Sequence, residues 1–443
     1  MKNKIILFSI FLLSVLANAQ SWQPVGAGVN GSVNTLFVYD SVMYVGGSFT
    51  SPGNNIAQWN GSNWDSLSSG TNGEVYSFGR YNGLIYVGGW FSKAGGYSAG
   101  SIATWNGKSF ANAGFDVEGG KNDPGMVDAI CQYDSLLYIG GQFDSVDHKL
   151  PSGLVIWNGK KTDTLNTSYG AYWENVSILT TYKNLLLLGY APIISGIPIG
   201  LWNNKMYNNN TDFFYTYKNY ADVYMNAFCV FDSNLYLGGN FLYYNLYFNS
   251  KKDTIVNNIA MWNGHKWSPL GKGVNGTIYA LASYNNMLIA GGDFDSAGGV
   301  PVNNIAAWNG TSWSAFGNGF NGPIYTLAVF DSNLYAGGDF SSPGNGIVEY
   351  ISSPGVPLIN NDSVNVFPNP NTGTFTVVCN RVITGASQPV IEIYNILGEK
   401  IYSANLLDGN TIIGLGKQAP GIYIYKISTA DGTLINPGKL VIE

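Results

Sequence analysis

Histidine is almost missing: two occur in 443 residues, His148 and His265. Neither has a second histidine at ligand spacing, which removes the usual basis for a zinc or copper site and for a Ser-His-Asp triad. Cysteine is nearly as scarce, with Cys131, Cys229 and Cys379. Charged residues make up 11% and the net charge is −6, so no basic footprint for nucleic acid exists. Beyond the first twenty residues no apolar run approaches the ~18 residues that a membrane helix needs. No D-x-D-x-D-G run appears, so Asp293, Asp295 and Asp339 read as turn residues rather than calcium ligands. The sequence therefore offers no catalytic residue, no metal site and no cofactor motif.

Glycine and aromatics are abundant instead, with 57 Gly and 14% Phe, Trp and Tyr, as in an all-β chain rich in turns. The stretch Leu281 to Trp313 sets the pattern. Tyr284-Asn285-Asn286-Met287 is a tight hairpin between two alternating apolar runs. Met287 to Ala290 is expected as the second strand, broken by Gly291-Gly292 at a bulge or a close backbone approach. Phe294 is expected as a core plug, Ile305 to Trp308 as a third strand, Asn309-Gly310 as its turn, and Trp313 as the start of a fourth. Four antiparallel strands in roughly 50 residues is the size of one β-propeller blade.

The unit repeats. Double glycines begin at Gly46, Gly88, Gly140, Gly238, Gly291 and Gly337, and a degraded copy around Leu188-Gly189 fills the one gap of double length. Seven residues before each marker stand Tyr39, Tyr81, Tyr133, Tyr182, Phe231, Tyr284 and Phe330, which fixes the register. The third-strand tryptophan recurs at Trp59, Trp105, Trp157, Trp202, Trp262 and Trp308, while the seventh copy has only Ile347 to Ile351. No W-x-x-L-G segment follows that copy. The missing piece stands at the start, where Trp22-Gln-Pro-Val-Gly-Ala-Gly matches Trp267-Ser-Pro-Leu-Gly-Lys-Gly. The expectation is a seven-bladed β-propeller over 20–352, its last blade closed by the N-terminal strand 21–27, because closure removes exposed edges. Cys131 and Cys229 then occupy equivalent positions two blades apart, too far for a disulfide, and read as small buried thiols.

Both ends stand outside the repeat. Lys2 and Lys4, the apolar run Ile5 to Leu16 and Ala17-Asn18-Ala19 make residues 1–19 a signal peptide. Residues 353–363 are a linker rich in Pro, Gly and Asn. Residues 364–443 carry V-N-V-F-P-N-P-N-T-G-T-F, V-I-E-I-Y-N-I-L-G-E-K-I and A-P-G-I-Y-I-Y-K-I, short alternating strands sufficient for a small Ig-like β-sandwich.

The double glycine, aromatic and tryptophan pattern resembles kelch-type repeats and the wider galactose-oxidase-like propellers. It is specific for fold and weak for activity, since such propellers host enzymes, adhesins and scaffolds; a galactose-oxidase-like copper centre needs histidines that this chain lacks. The tail motifs resemble the type A C-terminal sorting domain of the type IX secretion system. That resemblance implies a Bacteroidota-type host, the secretion machinery as partner of 364–443, and an exported or surface-bound product.

Loop lengths point to a site. The first-to-second and third-to-fourth turns, which share one face, are uniformly short. The second-to-third loops and blade connections share the other and carry nearly all the variation. Two of these, 207–222 and 242–256, hold Phe213, Phe214, Tyr215 and Tyr217, then Tyr243, Tyr244 and Tyr247. Aromatics on loops of a rigid scaffold form a recognition surface for a glycan or a protein; packing among themselves is the competing account. The favoured reading is a non-enzymatic binding or adhesion module. An extracellular carbohydrate-active enzyme, marked by paired carboxylates in the mouth, and a structural surface-layer component are the alternatives.

Overall fold

The structure, a computed structural model, describes residues 21–120, 123–147, 153–163, 176–190, 199–202, 224–241, 243–244, 254–351, 364–367, 371–379, 389–395, 399–406, 409–416, 418–428 and 434–442. All regular structure in them is β. The chain divides into two compact units, one of Gln20–Ile351 and one holding Ser352–Glu443. The leader 1–19 and the linker 353–363 lie outside the described residues.

The larger unit is a series of antiparallel meanders. Sheet one runs Ser32–Tyr39, Val42–Ser48, Ile56–Trp59, Trp64–Ser66. Sheet two runs Glu74–Tyr81, Leu84–Trp90, Ile102–Trp105, Phe110–Asn112. Sheet three runs Met126–Tyr133, Leu136–Gln142, Leu154–Trp157, Thr162–Asp163. Sheet four has Val176–Tyr182, Leu185–Tyr190 and Ile199–Trp202 among the described residues. Sheet five runs Tyr224–Phe231, Asn234–Asn240, Ile259–Trp262, Trp267–Pro269. Sheet six runs Thr277–Tyr284, Met287–Asp293, Ile305–Trp308, Trp313–Ala315. Sheet seven runs Ile324–Phe330, Asn333–Gly338 and Ile347–Ile351, and its outer strand is Ser21–Pro24, with Trp22 opposite Tyr350. Tyr350 pairs with Leu334 as Trp308 pairs with Leu288, so a tyrosine holds the third-strand tryptophan position in this sheet.

The first strand of each sheet packs on the first strand of the next, and that of sheet seven packs on that of sheet one. The contact is made where the first glycine of each doublet lets a neighbour approach. A Cβ on Gly46, Gly88, Gly238, Gly291 or Gly337 would fall 2.4–2.8 Å from a methyl of Val75, Val127, Ile278, Ile324 or Val33 in the following sheet. A hydrogen bond from Leu36 N to Thr326 Oγ1 joins sheet one to sheet seven.

The doublet does not break the second strand, as the sequence reading had it. Met287–Asp293 runs through Gly291-Gly292, and the irregularity lies across the ladder, between Ile278 and Ala280 of the first strand. The glycines are required by tight spacing against backbone, which a continuous strand satisfies. The same bulge occurs in all seven sheets, leaving Asn34, Tyr76, Asp128, Ser177, Asn226, Tyr279 and Tyr325 as the extra residues.

Asparagines fix the loops. In each N-N-I-A stretch the two side chains donate to carbonyls of the next connection, Asn257 to Lys272 O and Asn258 to Val274 O, with Asn303 and Asn304 repeating this on Asn318 O and Phe320 O. In W-N-G turns the Asn Oδ1 accepts from the following amides, as Asn309 does from Thr311 and Ser312. First-to-second turns have positive φ at both central residues, among them Asn285 and Asn286, in every sheet but the fourth, where only Lys183 does; this is the tight two-residue hairpin geometry.

The smaller unit has two sheets, Val364–Phe367, Thr374–Cys379 and Gly409–Gly414 in one, and Lys400–Asn405, Val390–Tyr394, Gly421–Ser428 and Leu434–Ile442 in the other. Phe375, Val377 and Ile413 from the first share a core with Ile391, Ile393, Ile427 and Leu440 from the second. Glu392 accepts from Lys426, Lys400 and Tyr394, and these bonds hold its carboxyl down at about 2.

Candidate functional site

The seven bulge residues gather at one end of the larger unit. Each belongs to a first strand, and those strands pack in succession on one another. Each bulge lies near the start of its strand, opposite the end of the second. That is the end from which the second-to-third loops and the sheet-to-sheet connections leave. All seven residues are half-buried. A bulge turns one carbonyl out of its ladder, and several of those carbonyls are taken by the sheet before. Asn34 Nδ2 donates to Val75 O, Ser177 Oγ to Met225 O, Asn226 Nδ2 to Ile278 O, and Ser77 Oγ to Val127 O.

The framework repeats, but the chemistry at these seven positions does not. Tyr279 and Tyr325 meet edge to face with centroids 5.4 Å apart. Burial raises both phenols, and the carboxylates of Asp293, for each, and Asp339, for Tyr325, add to it. Tyr76 donates to Glu74 Oε2 at 2.7 Å; burial, Glu74 and then Asp128 all push its phenol up. Burial alone drives the Asp128 carboxyl up to about 7. Trp90 follows the sheet-two doublet, faces Glu74 across the ladder, remains 50% exposed and donates from Nε1 to Asp123 Oδ1 at 3.0 Å. A shallow hollow of about 450 Å³ opens on the same face where sheets seven and one meet, bordered by Asn30, Asn321, Asp339 and Asn345. The mouth thus joins phenols, carboxyls and one exposed indole.

Asp128 makes a pH-dependent contribution. Its folded value lies above the ordinary 3.8, so the neutral acid supports the fold fully below about pH 4, and this is lost as pH rises through about 7. The Asp128→Asn variant should match the wild type at pH 4 and exceed it by about 2 kcal/mol at pH 8, a figure reduced for water at the mouth. Urea unfolding at the two pH values checks this; an equal difference at both would show that Asp128 does not titrate.

Of the residues singled out by loop length, Phe213, Phe214, Tyr215, Tyr217 and Tyr247 lie outside the described residues. Tyr243–Tyr244 forms a two-stranded ribbon with Thr254–Ile255 on the second-to-third connection of sheet five. The ring of bulge residues was missed, although a signal was present: each stands twelve residues before the first glycine of its marker, from Asn34 before Gly46 to Tyr325 before Gly337. Among the described residues no three His, Cys, Asp or Glu side chains gather as a metal-binding group. Cys131 and Cys229 are free, and burial pushes both thiols up to about 11. His265 sits in the third-to-fourth turn of sheet five, its amide bound to Asn263 Oδ1, on the opposite face; His148 lies outside the described residues.

Residues 365–443 match the family of secretion system C-terminal sorting domains. This tail marks the protein for export by the type IX secretion system to the cell surface or the extracellular space. No curated protein matches the chain. Among solved structures it is similar to PorZ, a surface component of the type IX secretion system of Porphyromonas gingivalis, at 11% identity over 95% of this chain and 61% of that one, with a TM-score of 0.49. The extracellular domain of a putative hybrid two-component system from B. thetaiotaomicron aligns at 12% identity over 96% and 59%, with a TM-score of 0.50. A fungal alcohol oxidase of the AA5 family, in complex with copper, aligns at 12% over 96% and 99%, with a TM-score of 0.46. The chain spans about three fifths of the length of the first two. The likeness is one of fold, that of β-propeller-like extracellular domains. Among the described residues no helix is long and apolar enough to cross a membrane.

Proposed function

We propose that the protein is a secreted or surface-displayed seven-bladed β-propeller of kelch-like repeats, led out by a signal peptide at 1–19 and carried across the outer membrane by an Ig-like tail at 364–443. In this reading residues 20–352 form the propeller, the strand within 21–27 closes its last blade, and 353–363 link it to the tail. Support for closure comes from the succession of glycine approaches, which returns from Gly337 of sheet seven to Val33 of sheet one.

The propeller acts as a non-enzymatic binding module for a glycan or protein ligand, taken at the long-loop face. One observation carries this: in a framework whose turns, glycines and tryptophans repeat, the seven bulge positions hold Asn, Tyr, Asp, Ser, Asn, Tyr and Tyr around one axis. Repetition builds the scaffold, and a specific ligand needs the asymmetry. In this reading Tyr243 and Tyr244, on the second-to-third connection of sheet five, serve the same ligand, and so do the loop aromatics singled out by the sequence. A second reading, an extracellular carbohydrate-active enzyme, draws on Tyr76 with Glu74 and Asp128, a phenol under the influence of two carboxyls.

One experiment has two arms. Removing 352–443 should leave folded propeller in the periplasm, and normal export of the truncated protein would refute the tail's role. In the mature protein, paired Ala substitutions at Tyr279 and Tyr325, or at Tyr243 and Tyr244, should weaken capture of extracellular polysaccharides or surface proteins at least about tenfold, while the melting temperature changes little. Lost melting temperature with capture retained would make these aromatics core. Bond cleavage in the polysaccharides would favour the enzyme.

A further inference from the structure

We propose that the mouth contains a subsite for one uncharged hexopyranose ring, with the Trp90 indole as its floor and the carboxylates of Glu74 and Asp123 and the Tyr76 hydroxyl reading the sugar's hydroxyl groups. This rests on the reading of the mouth as a binding site and names the ligand taken at sheets two and three.

Trp90 is out of place by the logic of the repeat. The residue after the doublet is Ser48, Gln142, Asn240, Asp293 or Asp339 in five other sheets, all small or polar. An indole left 50% exposed at that position has no packing role comparable to Trp59 or Trp308, which are 6% and 7% exposed. It is nevertheless held in place. The bond from Nε1 to Asp123 Oδ1 joins it to the connection between sheets two and three, which fixes the plane of the ring. Directly across the ladder stands Glu74, whose Oε2 already accepts the Tyr76 hydroxyl at 2.7 Å.

A hexopyranose has a flat C–H face and a rim of hydroxyl donors. An ordered aromatic plane matches the first, and carboxylates, which offer about four acceptor sites each, match the second. The site shares with small-ligand sites an apolar aromatic face and a few fixed polar groups that orient the ligand. Charge decides among sugars. Glu74 and Asp123 at the subsite oppose a uronate carboxylate by Coulomb repulsion at short range.

The test uses the mature full-length protein, with maltohexaose, cellohexaose and mannohexaose as neutral probes and hexagalacturonate as the anionic one. Binding is read by calorimetry and by tryptophan fluorescence. At least one neutral hexasaccharide should bind saturably and shift the emission to shorter wavelength, and hexagalacturonate should bind at least about tenfold more weakly. Trp90→Ala should cost at least about tenfold in affinity while Trp90→Phe, which keeps a flat ring, stays within about threefold. Glu74→Gln should narrow the gap between neutral and anionic probes.

The proposal is overturned if Trp90→Ala binds as the wild type does, if hexagalacturonate binds equally well, or if no neutral probe binds. A basic peptide bound in a Trp90-dependent manner in place of the sugars would also overturn it. The broader reading is judged separately through the Tyr279→Ala, Tyr325→Ala pair. If that pair weakens capture while Trp90→Ala does not, the mouth stands and the subsite falls. If neither weakens capture, both fall.

Discussion

Replacing Trp22 by alanine should cost about 3–5 kcal/mol of stability, the largest loss expected of any single side chain in the N-terminal segment. The indole is 5% exposed and lies 4.9 Å from Phe320, 5.0 Å from Tyr350 and 6.0 Å from Phe316, ring centre to ring centre. It is therefore the plug between the outer strand of sheet seven and the connection that leads into that sheet. The segment is tied on its other side as well, because Trp64 of sheet one donates from Nε1 to Val25 O at 2.9 Å. Trp22→Ala thus removes a large buried ring and loosens the only covalently distant strand in sheet seven. The Nε1 of Trp22 has no hydrogen-bond partner among the described residues, so Trp22→Phe should cost far less, about 1–2 kcal/mol. Deleting 20–28 should go further and expose Ile347–Ile351 as an unpaired edge, with aggregation as the visible result. Urea unfolding of the three variants checks the order. A Trp22→Ala protein as stable as the wild type would mean that the strand is dispensable and that the ring does not depend on it.

The order of strands was legible because it is written in two kinds of residue with narrow uses. Asn-Asn, Asp-Ser and Asn-Gly tolerate the positive φ of a two-residue hairpin, and the observed angles at Asn285, Asn286, Asp331 and Ser332 are of that kind. Trp308 and Phe294 recur at a fixed place in the unit and gain most by burial, and they are buried, as are Trp59, Trp105, Trp157 and Trp262. The displaced Trp22 motif was legible for the same reason. What was not read was the bulge, although its place twelve residues before each marker glycine is constant. Its extra residue has no preferred identity, since Asn, Tyr, Asp and Ser all occupy it, and only the pairing across the ladder reveals that one residue has no opposite number. The ring at the mouth follows from that bulge, so it stayed hidden while loop length drew attention outward to Phe213, Phe214, Tyr215, Tyr217 and Tyr247. Trp90 stayed hidden because a tryptophan in a repeat reads as core, and its 50% exposure is visible only in three dimensions.

Gly292→Ala should be the most damaging of the small substitutions, costing about 3 kcal/mol or more. A Cβ at Gly292 would fall 2.0 Å from the carbonyl oxygen of Thr277 and 3.0 Å from Ile278 Cα. Both are backbone atoms of the paired strand beside the bulge, and neither can yield without undoing the ladder between Thr277 and Asp293. Its neighbour provides the control. A Cβ at Gly291 meets Ile324 Cγ2 at 2.8 Å, a side-chain contact that a small shift of the next sheet relieves without breaking a ladder, so Gly291→Ala should cost less, about 1–2 kcal/mol. Gly310, at φ +94 with nothing within 4 Å, has room but the wrong backbone region, and its alanine variant should lose about 1 kcal/mol through strain alone. Measured by urea unfolding, the order Gly292→Ala, Gly291→Ala, Gly310→Ala should run from most to least destabilised. Equal effects at Gly291 and Gly292 would show that sheet-to-sheet spacing, rather than the carbonyl beside the bulge, is what demands the doublet.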